Sequence, residues 1–190
     1  VKPIVTTLKV AFSALLATAF FAASAQACSY EKGEAVFSPW GDQRAYVLAP
    51  DGGFAAGGAG WSLEDGAAVV AGNETSYLNS ASDSQSLALP EGSSAMSPTL
   101  CVGHDTPFLR AMVRSNGKGA RLRVEMIYAD RGLVRTGTVG GERPEWGPTH
   151  PLSTGLGRAT AADESVQIRL TPVSGDWQLD DLYIDPFARY

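Results

Sequence analysis

The chain has 190 residues, is 44% hydrophobic and 18% charged, and carries a net charge of −5. That acidic balance excludes nucleic acid and an anionic membrane surface as partners. Two cysteines and two histidines are too few for a transition-metal centre.

Residues 1–27 read as a secretory signal peptide. Lys2 and Lys9 form a basic start, Val10 to Ala23 is an apolar run, and Ala25-Gln26-Ala27 is a cleavage site. The run is too short for a confident transmembrane helix, and no second such stretch follows, so no membrane insertion is expected after cleavage. The expected product is a secreted, extracellular protein. Losing this segment removes two lysines and no acidic residue, which moves the net charge from −5 to −7. Cys28 and Cys101 are then an even pair in an exported chain and read as one disulfide, worth about 3–5 kcal/mol on the loop-entropy model.

Residues 28–47 read as an N-terminal extension. It contains the segment Phe37-Ser38-Pro39-Trp40-Gly41-Asp42-Gln43 and a short strand over 45–48. Pro50-Asp51-Gly52-Gly53 is a strong turn signal. Beyond it, short apolar or alternating segments recur between turn residues, at 67–71, 85–89, 95–102, 108–114, 120–128, 133–139, 165–171 and 177–185. Leu122-Arg123-Val124-Glu125-Met126 and Val166-Gln167-Ile168-Arg169-Leu170 alternate cleanly, and no segment keeps a helical period. With 21 Gly and 11 Pro, the pattern predicts an all-β, single-domain antiparallel sandwich over residues 48–190.

The last segment is unusual. Trp177 and Leu179 share one strand face, whereas Leu182 and Ile184 lie an odd number of residues further on. A slip of one residue flips a strand's inward set. The strand therefore either bulges at Asp180-Asp181 or passes there into a second packing environment. Two adjacent carboxylates at such a kink need solvent, hydrogen bonds or a cation.

Pro50-Asp51-Gly52-Gly53-Phe54, followed by Gly60-Trp61-Ser62-Leu63, resembles the opening of a galactose-binding-like jelly roll. The segment from Ser165 to Pro172 and then Trp177-Gln178-Leu179-Asp180-Asp181-Leu182 resembles the last two strands of the same modules. Trp146 stands where such modules often carry a Trp. The resemblance covers roughly residues 48 to 187 and is close to carbohydrate-binding modules of the xylan and glucan type. Small exported actinobacterial proteins carry a similar Phe37-to-Gln43 segment ahead of the jelly roll.

This resemblance implies a non-catalytic binding module for carbohydrate or a cell-surface glycan, with one structural calcium ion held by Asp51, Gly53, Asp180 and Asp181. Ala55 departs from the pattern, since modules of this kind often place a calcium-ligating Glu there. Tyr77, Tyr128 and Trp146 are candidate sugar platforms. Arg121 and Arg123, which share a strand face, are candidate polar contacts. The competing readings are core packing for the aromatics and a solvated sheet face for the arginines. His104-Asp105 is the only His–acid neighbour pair, and no Gly-x-Ser-x-Gly elbow or facing carboxylate pair stands out. A structural envelope or matrix protein without a small ligand, and a polysaccharide hydrolase with an unrecognised site, are the alternative functions.

Overall fold

The computed structural model describes residues 33–102, 108–129, 132–153 and 164–185. The expected signal peptide, Cys28, His104 and Asp105 lie outside the described residues. The described chain is strand and turn, with one 3₁₀ turn at Ser38–Trp40. Among the described residues, no helix is long and apolar enough to cross a membrane.

The strands are β1 (Val47–Leu48), β2 (Ser62–Glu64), β3 (Ala68–Ala71), β4 (Gln85–Leu89), β5 (Ser94–Met96) and β6 (Leu100–Val102). They continue with β7 (Phe108–Tyr128), β8 (Gly132–Gly140), β9 (Arg143–Pro148), β10 (Leu152–Ser153) and β11 (Glu164–Asp185). All pairings are antiparallel, and the fold is the expected all-β jelly-roll sandwich.

Two strands organise the rest. β7 and β11 run beside each other from Val166↔Tyr128 to Asp185↔Phe108. The first half of β11 also pairs with β5 and β6, while the second half of β7 pairs with β8; β2 joins through β5. These form one layer. The second half of β11 also pairs with β4 and β1, and the first half of β7 pairs with β9 and β10; β3 joins through β4. These form the other layer. Both long strands pass between the layers at a corner marked by register shifts between Pro172 and Ser174 and between Ser174 and Asp176.

The segments 108–114 and 120–128 are one strand, as are 165–171 and 177–185. Gly-rich 117–119 and Val173-Ser174-Gly175 read as breaks, but the two strands bend together and the ladder resumes beyond the corner. Gly175 is required at this bend. Its φ is +69°, and a Cβ there would lie 2.4 Å from the Asn116 carbonyl oxygen.

The core lies between the layers. Leu122, Val124, Met126, Val166, Ile168 and Leu170 come from one side, and Leu87, Leu89, Val113, Trp177 and Leu179 from the other. Leu182 and Ile184 join the same core. Of the two readings of the slipped strand, the bulge is the one found. The register shifts between Asp180 and Tyr183, and Asp181 has a φ of +49°. The extra residue returns Leu182 and Ile184 to the inner face.

A second cluster, Phe37, Tyr46, Met112 and Tyr183, covers part of the outer face of the β4–β11–β7 layer. The segment 33–46 crosses that face as a strap. It is held by a Glu34–Tyr46 bridge and by a buried ion pair, Asp42 to Arg110 Nη1 at 2.8 Å. Arg110 also donates from Nε and Nη2 to the Thr149 carbonyl and lies 4.4 Å from the Phe37 ring centroid. The Tyr46 hydroxyl donates to Asp42 at 2.8 Å. Burial raises the Asp42 carboxyl, but the bonds from Tyr46, the Arg44 N–H and Arg110 more than offset this and hold it below its ordinary value.

Removing one partner of a buried, hydrogen-bonded ion pair strands the other. Asp42→Ala is therefore expected to lower unfolding stability by about 3–5 kcal/mol. A urea titration reads this as a fall in midpoint at unchanged slope. A shift within the scatter of surface variants would contradict the strap's role.

Candidate functional site

Three groups of polar side chains stand out from the sandwich. The first is a cleft of about 530 Å³ on the outer face of the β4–β11–β7 layer, beside the corner. Its floor follows from strand register. Ala88, Gln178 and Arg114 are cross-strand neighbours on β4, β11 and β7. Asn116 and Asp176 form the next pair toward the corner, and Pro90, Glu142 and Pro144 complete the rim. Toward the strap, the next outward residue of β7 is Met112, which belongs to the Phe37 cluster. The strap therefore closes one end of the cleft, about 7 Å along the strand from Arg114.

Arg114 is held on two sides. Its guanidinium carbon lies 5.1 Å from the centroid of the Trp146 ring, and its Nε donates to Gln178 Oε1. Neither Nη has a protein partner among the described residues. Asp176 Oδ1 accepts from the Glu91 N–H, and Glu91 Oε2 accepts from the Gly175 N–H; this exchange ties the β4–β5 turn to the corner.

The second group is acidic and buried. Asp83, Asp180 and Asp181 each bring a carboxylate oxygen within 4.8 Å of the others. At the bulge, Asp180 pairs with the outward-facing Met112, and Asp180 and Asp181 are both fully buried against the segment 74–83. Asp180 accepts from the Glu74 N–H and Asp181 from the Asn79 N–H, while Asn79 Nδ2 donates to Asp83. Asp181 Oδ1 is buried with no hydrogen-bond partner. Burial raises the Asp180 carboxyl to about 8, with the Asp181 and Asp83 charges adding to it. Burial raises Asp181 to about 7, with the Glu74 and Asp83 charges adding to it. Gly53 lines the same space: a Cβ there would lie 2.7 Å from Asn79 Nδ2, 2.8 Å from Asp83 Oδ2 and 3.0 Å from Asp181 Oδ1.

The third group lies on the outer face of the other layer. Glu125 accepts from Arg169 Nε at 2.8 Å and pairs with Arg123 at 3.4 Å. The Arg169 hydrogen bond pulls its carboxyl below the ordinary value, more than burial raises it.

The candidate residues are distributed among these groups as follows. Gly53, Asp180 and Asp181 meet as expected. Asp51 does not join them, because both its carboxylate oxygens are taken by the Ala56 and Ala59 N–H groups at 2.9 and 2.7 Å. Asp83 supplies the third carboxylate, and neither it nor Glu74 carries a sequence signal beyond a polar, Ser-rich loop. Tyr128 is 1% exposed and lies in the core, so it offers no sugar platform. Tyr77 is exposed at φ +52°. Trp146 lies beneath Arg114 at the cleft's edge. Arg121 and Arg123 are exposed on the far layer, away from the cleft. Arg114 and Gln178 were not singled out in the sequence, since their roles depend on cross-strand register. Cys101 on β6 is not a free thiol; its expected partner, Cys28, lies outside the described residues.

No protein-family model matches the chain, and no curated protein matches it. Among solved structures, the chain is similar to the CBM22-1–GH10 modules of endo-1,4-β-D-xylanase 10B from Clostridium thermocellum, complexed with xylohexaose. The TM-score is 0.50 at 17% identity, over 74% of this chain and 28% of that one. It is also similar to the enzymatically active domain of tailspike protein 4 of bacteriophage CBA120, with a TM-score of 0.51 at 12% identity, over 74% of this chain and 21% of that one. A third similar structure, TmCBM61 in complex with β-1,4-galactotriose, has a TM-score of 0.48 at 14% identity, over 74% of this chain and 98% of that one. The chain thus spans only a part of the xylanase and tailspike chains. At these identities the likeness is one of fold.

Proposed function

We propose that this domain is an exported, non-catalytic module that binds carbohydrate or a cell-surface glycan in the cleft beside the corner. The observation that carries this reading is the cleft itself. It combines a preset guanidinium, amide side chains and two carboxylates on a rigid sheet, a donor and acceptor set suited to sugar hydroxyls. Asp176 already accepts from the Glu91 N–H, a structural role that favours binding over hydrolysis. The fold shared with carbohydrate-binding modules agrees with this reading. The Cys28–Cys101 disulfide belongs to the same proposal, as does export.

A glycan array probed with residues 28–190 tests the function. Binding of an oligosaccharide series is expected, with a loss of at least about tenfold in affinity for Gln178→Ala, which removes the partner that holds Arg114. An array without binding, or binding indifferent to Gln178→Ala and Asn116→Ala, would contradict it.

We also propose that calcium sits among Asp83, Asp180 and Asp181. These residues fit a hard cation: three buried carboxylates converge, one oxygen lacks any partner, and Gly53 leaves the space open. The ion would neutralise the cluster and fix the bulge.

The sign of the pH dependence follows from the raised values of Asp180 and Asp181. Between about pH 4 and pH 8 the folded chain binds more protons than the unfolded one, so stability without a cation falls as pH rises. In chelator, the melting temperature is expected to drop from pH 5 to pH 8. Calcium should reverse the drop, by about 2.7 kcal/mol at a hundredfold excess over Kd. Gly53→Ala, whose methyl group would fill the space, should abolish the calcium effect. Melting curves that superimpose with calcium and with chelator at pH 8 would contradict the site.

A further inference from the structure

The cleft differs from a simple aromatic sugar platform in one respect. Trp146, behind Arg114, has the guanidinium over its ring, 5.1 Å from the centroid. Trp177, which also borders the cleft, is 1% exposed and packs in the core. A pyranose ring entering here therefore meets no open aromatic face. It meets the edge of a guanidinium.

The guanidinium is set up for a particular kind of contact. The guanidinium lies over the Trp146 ring, and the bond from Nε to Gln178 Oε1 restricts its rotation. Both Nη groups are left unpaired among the described residues and point their N–H donors away from Nε as a fork. A planar two-donor fork with its orientation already set matches a carboxylate bidentately, with little rotamer freedom left to lose. Glu142 and Asp176 line the same cleft. Their oxygens suit hydroxyl donors, and they lie on the turn after β8 and on the corner pair next to Asn116. A ligand that satisfies the whole cleft carries one carboxylate and several hydroxyls on a short scaffold.

We infer that the cleft selects an acidic sugar, a uronate, with its carboxylate on the Arg114 fork and its ring hydroxyls on Asn116, Asp176 and Glu142. This rests on the carbohydrate-binding reading above and names the sugar class. Trp146 and Gln178 then act as positioning residues for Arg114. The strap, which ends the cleft at Met112, limits the ligand along the strands to the two rows of residues between Arg114 and the corner.

The test is calorimetric titration of residues 28–190 with tetragalacturonate and with a glucuronoxylan oligosaccharide, each beside its carboxyl-reduced neutral form. At least one acidic form is expected to bind about tenfold more tightly than its neutral form, the order of one charge-assisted pair. Raising the salt concentration should shrink that ratio. Arg114→Gln should remove the preference while leaving the circular dichroism spectrum and melting temperature unchanged, because the side chain is exposed. Arg114→Lys, which keeps the charge but loses the fork, should retain only part of it. Equal binding of acidic and neutral forms would overturn the uronate inference and leave the carbohydrate reading intact. A preference that survives Arg114→Gln would overturn the assignment to Arg114. No binding of any of the four sugars would overturn the inference as well, and the glycan array would then show whether the carbohydrate reading falls with it.

Discussion

The continuous β7–β11 ladder is the constraint from which the other features follow. It links residues 108–128 to 164–185 through both layers of the sandwich, and each functional feature sits at one of its irregularities. At the corner, a pair of bent strands gives the two layers their shared spine and places Asn116 and Asp176 beside the cleft. At the bulge, one extra residue keeps four apolar side chains on the inner face and seats two buried carboxylates side by side. A regular ladder would have sent Leu182 and Ile184 to the outside and Asp181 to a different neighbour. The bulge therefore resolves a conflict between hydrophobic phase and chain length, at the cost of buried charge.

The strap answers a second conflict. The outer face of the β4–β11–β7 layer presents Met112 and Tyr183, and leaving such side chains in water forfeits about 1.5–3 kcal/mol each. Phe37 and Tyr46 cover them, with the Phe37 ring edge-on to both Tyr46 and Tyr183 at 5.1 and 5.7 Å. The Asp42–Arg110 pair then sets where the strap lies. A buried ion pair adds little net stability over apolar packing, but it tolerates few alternative positions. Because the strap is fixed, the uncovered part of the face is fixed too, and that part is the cleft. The segment ahead of the jelly roll thus bounds the cleft.

Much of this was legible in the sequence. Strand periodicity gave the all-β class, and the span 85–89 is the strand found. The phase slip at Asp180-Asp181 located the bulge, because inward and outward residues alternate strictly and an odd spacing has few explanations. The glycine-rich corner differs from the sequence expectation. Gly117 and Gly175 signal a change of backbone direction, and sequence does not say whether a strand ends there or bends with its partner. Arg143–Pro148 was not read as a strand because its two prolines each remove an N–H donor; it lies at the margin of its layer, pairing only with β7. The acid cluster was read in part. Asp180 and Asp181 are neighbours in sequence, whereas Asp83 reaches them only through the fold. Asp51, expected in the cluster, caps its own turn instead, a local bond that competes well with a distant one. Arg114 and Gln178 are 64 residues apart, and only register brings them together.

The central claim is that ligand binds on the strap-bearing face beside the corner. The opposite face carries Arg121, Arg123 and Arg169, and it is the alternative surface. Nuclear magnetic resonance of ¹⁵N-labelled residues 28–190 during titration with tetragalacturonate separates the two, because arginine Nε–Hε groups report individually. The account predicts that the Arg114 Nε–Hε and the Gln178 and Asn116 side-chain amides shift and saturate together, while those of Arg123 and Arg169 stay in place. Shifts confined to Arg121, Arg123 and Arg169 would contradict it.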